Sequence, residues 1–213
     1  AIDVSLKMSL AIAYMIDGNP EKAIQIDTQL FSDPEFIKYK NAKLILTRDL
    51  IKAYITKKDS DRAAELLNSY KQLLDEYEPD RKDYDIMKDQ LTDMTFRLNI
   101  LNNVTDGAAE YYENVLQTPL SESYKTVVYW LLANIYRIEG NEEKEILYLR
   151  KTSENGYHMH VAEQARCILA NKGLTVDEPV LKKIKPKRIS YILPVLLMIV
   201  GCVPFIWLAI TKL

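Results

Sequence analysis

The chain has 213 residues, of which 48% are hydrophobic and 27% are charged, and it contains only two cysteines. This composition is that of a globular protein and excludes both general disorder and a disulfide-stapled scaffold. All 30 acidic residues lie at or before Glu178, whereas six of the 28 basic residues follow it. An acidic body therefore precedes a basic, apolar tail, which argues against nucleic-acid binding because the body would repel phosphates.

The first part of the chain contains an internal repeat. Residues 10–24, 50–64 and 132–146 each begin with Leu, have Tyr four residues later and reach a turn near the ninth position. Gly18 and Gly140 occupy that turn, and a lysine takes its place in the second copy. Glycine adopts the positive φ that ends a helix, so each copy predicts a helix, a tight turn and a second helix.

The fourth copy carries the most specific pattern, an aromatic residue, Leu, a small residue and Tyr at Tyr129, Leu132, Ala133 and Tyr136. This pattern resembles the signature of the tetratricopeptide repeat (TPR), a helix–turn–helix of about 34 residues. The third copy is degenerate, and the four copies are spaced by 40, 45 and 37 residues. The resemblance implies an all-α, TPR-like solenoid of helical hairpins, with about four repeats whose first helices line a concave groove.

A fifth predicted helix follows the repeats over residues 158–172 and ends at Gly173. Its apolar residues fall on one face, as expected of a helix that caps the open end of a repeat array. We therefore predict a TPR-like repeat domain over residues 1–173. Residues 174–188, which contain two prolines and five basic residues, are predicted to form a linker.

The tail predicts a single C-terminal transmembrane helix over residues 189–211. Residues 191–210 contain no charge, and twenty residues of helix span roughly 30 Å, the thickness of a bilayer core. The basic residues concentrate before this span, which predicts a tail-anchored protein with residues 1–188 in the cytosol and the C-terminus on the far side. The residues predicted to contact lipid head groups are Lys182, Lys183, Lys185, Lys187 and Arg188.

The resemblance also implies which side chains line the groove. Arg48, Lys52 and Arg97 would form a basic stripe, while Trp130 would offer an aromatic anchor beside Asn134. A protein or peptide ligand with an acidic residue and an apolar side chain would fit such a surface. The alternative is that Arg48 and Lys52 are a solvated i,i+4 pair and that Trp130 belongs to the core.

The sequence contains no pattern that predicts catalysis. The two histidines, His158 and His160, point to different faces of a helix and do not chelate one ion as an i,i+4 pair does, so no metal site is expected. No glycine-rich phosphate loop is present, and we expect no enzyme activity, cofactor or small-molecule substrate.

The predicted function is that of a membrane-anchored adaptor or scaffold that recognises a partner protein at the cytosolic face. Two alternatives remain open. In the first, the chain is a subunit of a membrane complex whose span packs through Gly201, Cys202 and Ala209. In the second, it is the C-terminal regulatory part of a longer protein.

Overall fold

A computed structural model of the chain describes residues 4–38, 40–77 and 82–174. Within these ranges the secondary structure is helical and contains no strand, which confirms the all-α prediction for this part of the chain. These residues belong to a compact unit, Ala1–Pro179, and a second unit, Val180–Leu213, lies outside the described residues. The helices are α1 (Val4–Ile16), α2 (Pro20–Phe31), α3 (Pro34–Ile37), α4 (Lys40–Thr56), α5 (Ser60–Asp75), α6 (Tyr84–Leu101), α7 (Ala108–Val115), α8 (Glu122–Ile138), α9 (Glu142–Asn155) and α10 (His160–Asn171).

The same hydrogen-bonded turn ends five of these helices. In each, one residue has a positive φ and the N–H of the next residue donates to the carbonyl five positions earlier, which is the Schellman motif. The predicted turn is thus confirmed in the four copies at the predicted spacing, including the degenerate third copy, and α10 ends in the same way. The donors and acceptors are Asn19 to Tyr14 (2.8 Å), Asp59 to Tyr54 (2.9 Å), Val104 to Asn99 (2.8 Å), Asn141 to Tyr136 (2.8 Å) and Leu174 to Leu169 (3.0 Å).

Polar caps then start the second helix of three copies. The side chains of Asn19, Asp59 and Asn141 each accept a hydrogen bond from the backbone N–H three residues later, at 3.4, 3.1 and 3.1 Å. Such a cap satisfies one of the free N–H groups at a helix start. Pro20 adds to the first cap, because its missing N–H costs nothing at the first helical position.

In the first three copies, the fifth residue after the positive-φ residue of the turn is a fully buried alanine: Ala23, Ala63 and Ala108. In the fourth copy Glu145 takes this position and is also buried. Its carboxylate lies 3.1 Å from Nζ of Lys172, which follows α10. A buried charge is tolerated when an opposite charge pairs with it, so the last helix compensates for the departure of the fourth copy.

The core follows the order of the helices along the chain. One hydrophobic cluster joins α4, α5 and α6 around Ile51, Tyr70 and Met94, and another joins α6 through α10 around Leu132 and Leu149. The hairpins formed by α1 and α2, α4 and α5, and α8 and α9 each pack together, and α4 also contacts α6, α6 contacts α8 and α8 contacts α10. Packing between near neighbours is what an array of helical hairpins requires.

Two features at the ends of the described helices concern the sequence predictions. The fifth helix begins at His160, two residues later than predicted, because Tyr157 has a positive φ and Met159 donates to the carbonyl of Gly156 in a turn. Leu10, the first residue of the repeat pattern, is 42% exposed because no earlier helix of the described chain covers α1.

The membrane prediction concerns residues that the structure does not describe. Within the described ranges, none of the helices combines the length and the apolar character needed to cross a bilayer. The predicted span over residues 189–211 lies outside those ranges, as does the predicted linker over residues 174–188 apart from Leu174. The five basic residues assigned to lipid head groups lie outside them as well.

Candidate functional site

Three of the predicted groove residues meet in one place, between α4 and α6. Arg48 and Lys52 lie one turn apart on α4, and Arg97 lies one turn after Asp93 on α6, so each helix directs both of its charges to one side. Nζ of Lys52 lies 3.7 Å from Oδ2 of Asp93, which links the two helices. We call this group, completed by Asp49, the ionic cluster.

The pair formed by Asp93 and Arg97 is the most enclosed part of the ionic cluster, with side chains 6% and 12% exposed. Nε of Arg97 donates to both carboxylate oxygens at 2.9 and 3.0 Å, and the hydroxyl of Tyr112 donates to Oδ1 at 3.0 Å. Burial alone would raise the pKa of Asp93, but Arg97 and Lys52 outweigh it and hold that pKa below the usual value. The pair is therefore ionised at neutral pH.

Arg48 is also matched by acceptors. Its Nε and Nη2 each lie 2.7 Å from Oδ1 of Asp49, and its Nη1 donates to Oε1 of Gln90 on α6 at 3.3 Å. The structure thus adds carboxylates to the three cations that the sequence analysis grouped as a basic stripe. With three cations and two carboxylates, the ionic cluster keeps one net positive charge.

Lys52 is the least satisfied member of the ionic cluster. Its nearest carboxylate oxygen, at 3.7 Å, is beyond hydrogen-bond distance, and no described residue accepts a hydrogen bond from its ammonium group. Burial and the charge of Arg97 lower the pKa of Lys52 to about 8. Its side chain is still 29% exposed, more than those of Arg48 and Arg97, so an external anion can reach it.

A buried carboxyl on α2 adjoins the ionic cluster and was missed by the sequence analysis. Asp27 is only 2% exposed. Burial, followed by the charge of Asp49, raises its pKa to about 7, although Arg48 acts in the opposite direction. A signal was present in the sequence, since Asp27 lies between Ala23 and Leu30 at helical spacing, on the apolar face of α2.

The other two predicted groove residues lie on α8, away from these contacts. Trp130 is half-buried and packs against the hydrophobic cluster of the C-terminal helices. Asn134 donates to the carbonyl of Trp130 at 2.7 Å and accepts from Arg137 at 2.8 Å. The α8 side chain that interacts with Arg97 is Tyr124.

The two histidines do not share a site. His158 lines a cleft of about 650 Å³ between α1 and the connection that follows α9, whereas the ring of His160 packs directly on Gly18. In the part of the chain that the structure describes, no group of three or more His, Cys, Asp or Glu side chains is placed to hold a metal ion.

Comparison with known proteins gives no relative on which to base an assignment. The chain matches no model of a protein family, no curated protein and no solved structure. The function must therefore be inferred from the residues and their geometry.

Proposed function

We propose that the protein is a membrane-anchored adaptor of the tetratricopeptide-repeat type, which recognises a partner protein and carries out no chemistry of its own. The observation that supports this most directly is the recurrence of one turn at the ends of four helices, at the repeat spacing. In such an array the first helices of the hairpins present the ligand-binding side chains. The ionic cluster lies on two helices of that kind, α4 and α6.

The ionic cluster suits a partner with an acidic side chain. Its three cations and two carboxylates give it one net positive charge within a domain that is otherwise acidic, which favours an acidic group of a partner. Trp130, on the next first helix, would contribute the aromatic contact that dominates the energetics of many interfaces. The proposed ligand is thus a protein or peptide with an acidic and an apolar side chain.

The tail supplies the membrane part of the proposal. Residues 191–210 are long and apolar enough to span a bilayer, and the five basic residues before them favour the cytosolic, anionic leaflet. Anchoring confines the repeat domain to one surface and raises its effective concentration near partners in the same membrane.

A second candidate function is supported by small residues in the tail. Gly201, Cys202 and Ala209 would allow another helix to approach closely, as in a subunit of a membrane complex. Replacing residues 189–211 with an unrelated apolar helix separates the two functions. If the segment is a simple anchor, the protein should keep its partners after the exchange. If the segment packs against other helices of a complex, the protein should no longer assemble into that complex.

The adaptor proposal is tested by changing Lys52 and measuring which proteins are labelled by a proximity enzyme fused to the full-length chain. Lys52→Gln removes the exposed charge while leaving the bonded pairs of Arg48 and Arg97 in place. We expect loss of an acidic partner that the parent labels. Lys43→Gln, on the same helix, is the matched control and should label the same proteins as the parent. If Lys52→Gln also leaves the labelled set unchanged, the ionic cluster is not the recognition site.

A further inference from the structure

We propose that α1 is a homodimer interface, on which the α1 helix of a second copy of this chain packs about a two-fold axis. The face concerned carries Leu6, Leu10 and Ala13 at helical spacing, and we call it the N-terminal face. The inference goes beyond the proposed function. It rests on that function only for the membrane anchor, which holds two copies on one surface and raises their effective concentration.

The repeat register shows that a helix belongs on the N-terminal face. The corresponding positions of α4 and α8 are at most 7% exposed and are occupied by Leu46, Leu50 and Ala53, and by Val128, Leu132 and Ile135. Helices of the preceding repeat pack there, since α2 contacts α4, and α6 and α7 contact α8. No earlier helix of the described chain does the same for α1, where Leu6 is 58% and Leu10 42% exposed.

The charge of α1 favours its own copy as the covering helix. Lys7 is the only charged residue of α1, whereas 27% of the whole chain is charged. Of the eight exposed large hydrophobic residues among the described residues, four lie on this helix: Leu6, Leu10, Ile12 and Ile16. Such a surface offers almost no ion pair to a charged partner. A second copy brings an equally apolar face, as the self-complementarity of a two-fold interface requires.

The last helix of the array is not complementary to the N-terminal face. The apolar residues Ala162, Ala165 and Leu169 of α10 are buried, and none of its exposed side chains is a large hydrophobic. Its exposed residues include Glu163 and Asn171. A head-to-tail contact would bury such polar groups against the leucines of α1 and would extend into a filament, whereas two N-terminal faces form a closed pair.

The N-terminal face can also be buried at little cost in hydrogen bonds. Ser9 and Ala13 are exposed and small, so a second helix can approach closely. The hydroxyl of Ser9 donates to the carbonyl of Ser5 in its own helix at 2.9 Å, so its burial leaves no donor unpaired.

The size of the face makes this dimer weak in solution. With 13 residues, α1 is about 20 Å long. One helix face of that length is smaller than the roughly 800 Å² that each partner buries in a stable interface. We therefore expect monomers at low concentration and dimers where membrane anchoring concentrates the chain.

The test measures crosslinking of the full-length protein in liposomes by a short bis-maleimide. Cys167→Ser and Cys202→Ala remove the two natural thiols, and Ser9→Cys places one thiol on the N-terminal face. Across a two-fold axis this thiol lies near its own copy, so we expect a covalent dimer. Ser32→Cys, at an exposed serine after α2, is the matched control and should crosslink much less. Equal crosslinking at the two positions would overturn the inference.

A charge on the N-terminal face completes the test. Leu6→Glu, added to Ser9→Cys, should reduce the crosslinked fraction about 10-fold, because it buries an unpaired charge between the copies. Ile86→Glu, at a residue of α6 that is 56% exposed, is the matched control and should leave the fraction unchanged. Both sites are exposed in the single chain, so the helicity measured by circular dichroism should equal that of the parent.

The outcomes separate this inference from the proposed function. A crosslinked fraction that Leu6→Glu leaves unchanged would overturn the dimer, as would a dimer that is lost only when residues 189–211 are exchanged. If the chain does not stay in the liposomes, the anchor is wrong, and the same variants at high concentration in buffer decide the inference. A dimer that depends on Leu6, without any labelled partner, would overturn the adaptor function alone.

Discussion

Replacing Asp27 with asparagine should make the folded protein more stable at pH 8 and leave its stability almost unchanged at about pH 4. Asparagine has nearly the same shape as aspartate but carries no charge. Asp27 is 2% exposed and its pKa is raised from 3.8 to about 7 by burial and by Asp49. The folded state thus holds the proton more tightly than the unfolded chain does.

The sign and size of the effect follow from this difference in pKa. Between about pH 4 and pH 7 the folded state binds more protons than the unfolded state, so the free energy of unfolding decreases as the pH rises through that window. The rise in the pKa of Asp27 from 3.8 to about 7 corresponds to a loss of at most about 4 kcal/mol in the free energy of unfolding. Relaxation of the structure around the ionised carboxylate reduces this loss. We expect Asp27→Asn to gain about 1 to 4 kcal/mol at pH 8.

Urea unfolding measures this gain. The protein has two tryptophans, so a Trp207→Phe background leaves Trp130 as the fluorescent reporter within the described helices. Glu21→Gln, at an exposed acid in the first turn of the same helix, is the matched control and should change stability by less than about 0.5 kcal/mol at either pH. An equal difference between Asp27→Asn and the parent at about pH 4 and pH 8 would refute the reasoning.

The same unfolding assay checks three further predictions. Gly140→Ala should lower the free energy of unfolding by about 1 kcal/mol, because the residue has a positive φ although there is room for the methyl group. Gly18→Ala should lower it further, because the ring of His160 also occupies the position of the new methyl group. Lys58→Gly should raise the free energy of unfolding by about 0.5 to 1 kcal/mol, because glycine adopts the left-handed conformation of this residue without strain. Asp93→Ala should lower the free energy of unfolding by about 3 kcal/mol, because it leaves the buried charge of Arg97 without its paired carboxylate. Adding Arg97→Met should recover part of that loss. The first prediction would be contradicted if both glycine variants lost the same free energy of unfolding, and the second if Lys58→Gly lowered stability. The third would be contradicted if the effects of Asp93→Ala and Arg97→Met simply added.

The helices and their recurrent turns could be predicted from the sequence because they are encoded locally. The residue that takes a positive φ and the asparagine or aspartate that caps the following helix lie next to each other, as in Gly18–Asn19 and Gly140–Asn141. Their chemistry does not depend on distant contacts.

The candidate site could be predicted only in part, because pairing between helices depends on their packing. The spacing of Arg48 and Lys52 placed both on one side of α4, and that side does meet Arg97. Asp49, next to Arg48, and Asp93, one turn before Arg97 on the same helix, neutralise two of these cations, and only the packing of the helices brings Asp93 within 3.7 Å of Lys52. A solvated i,i+4 pair of Arg48 and Lys52 would have given the same sequence. The burial of Asp27 likewise depends on the approach of α4 to α2.

We propose above that an acidic partner binds at Lys52 while the protein is held in a membrane. The most direct test is site-specific photo-crosslinking from position 90, which borders the ionic cluster, in the full-length membrane-bound chain. We predict one dominant crosslinked protein whose crosslinked peptide contains an acidic residue, and its loss when Lys52→Gln is added but not when Lys43→Gln is added. A crosslinking pattern that is the same for both variants would contradict the claim.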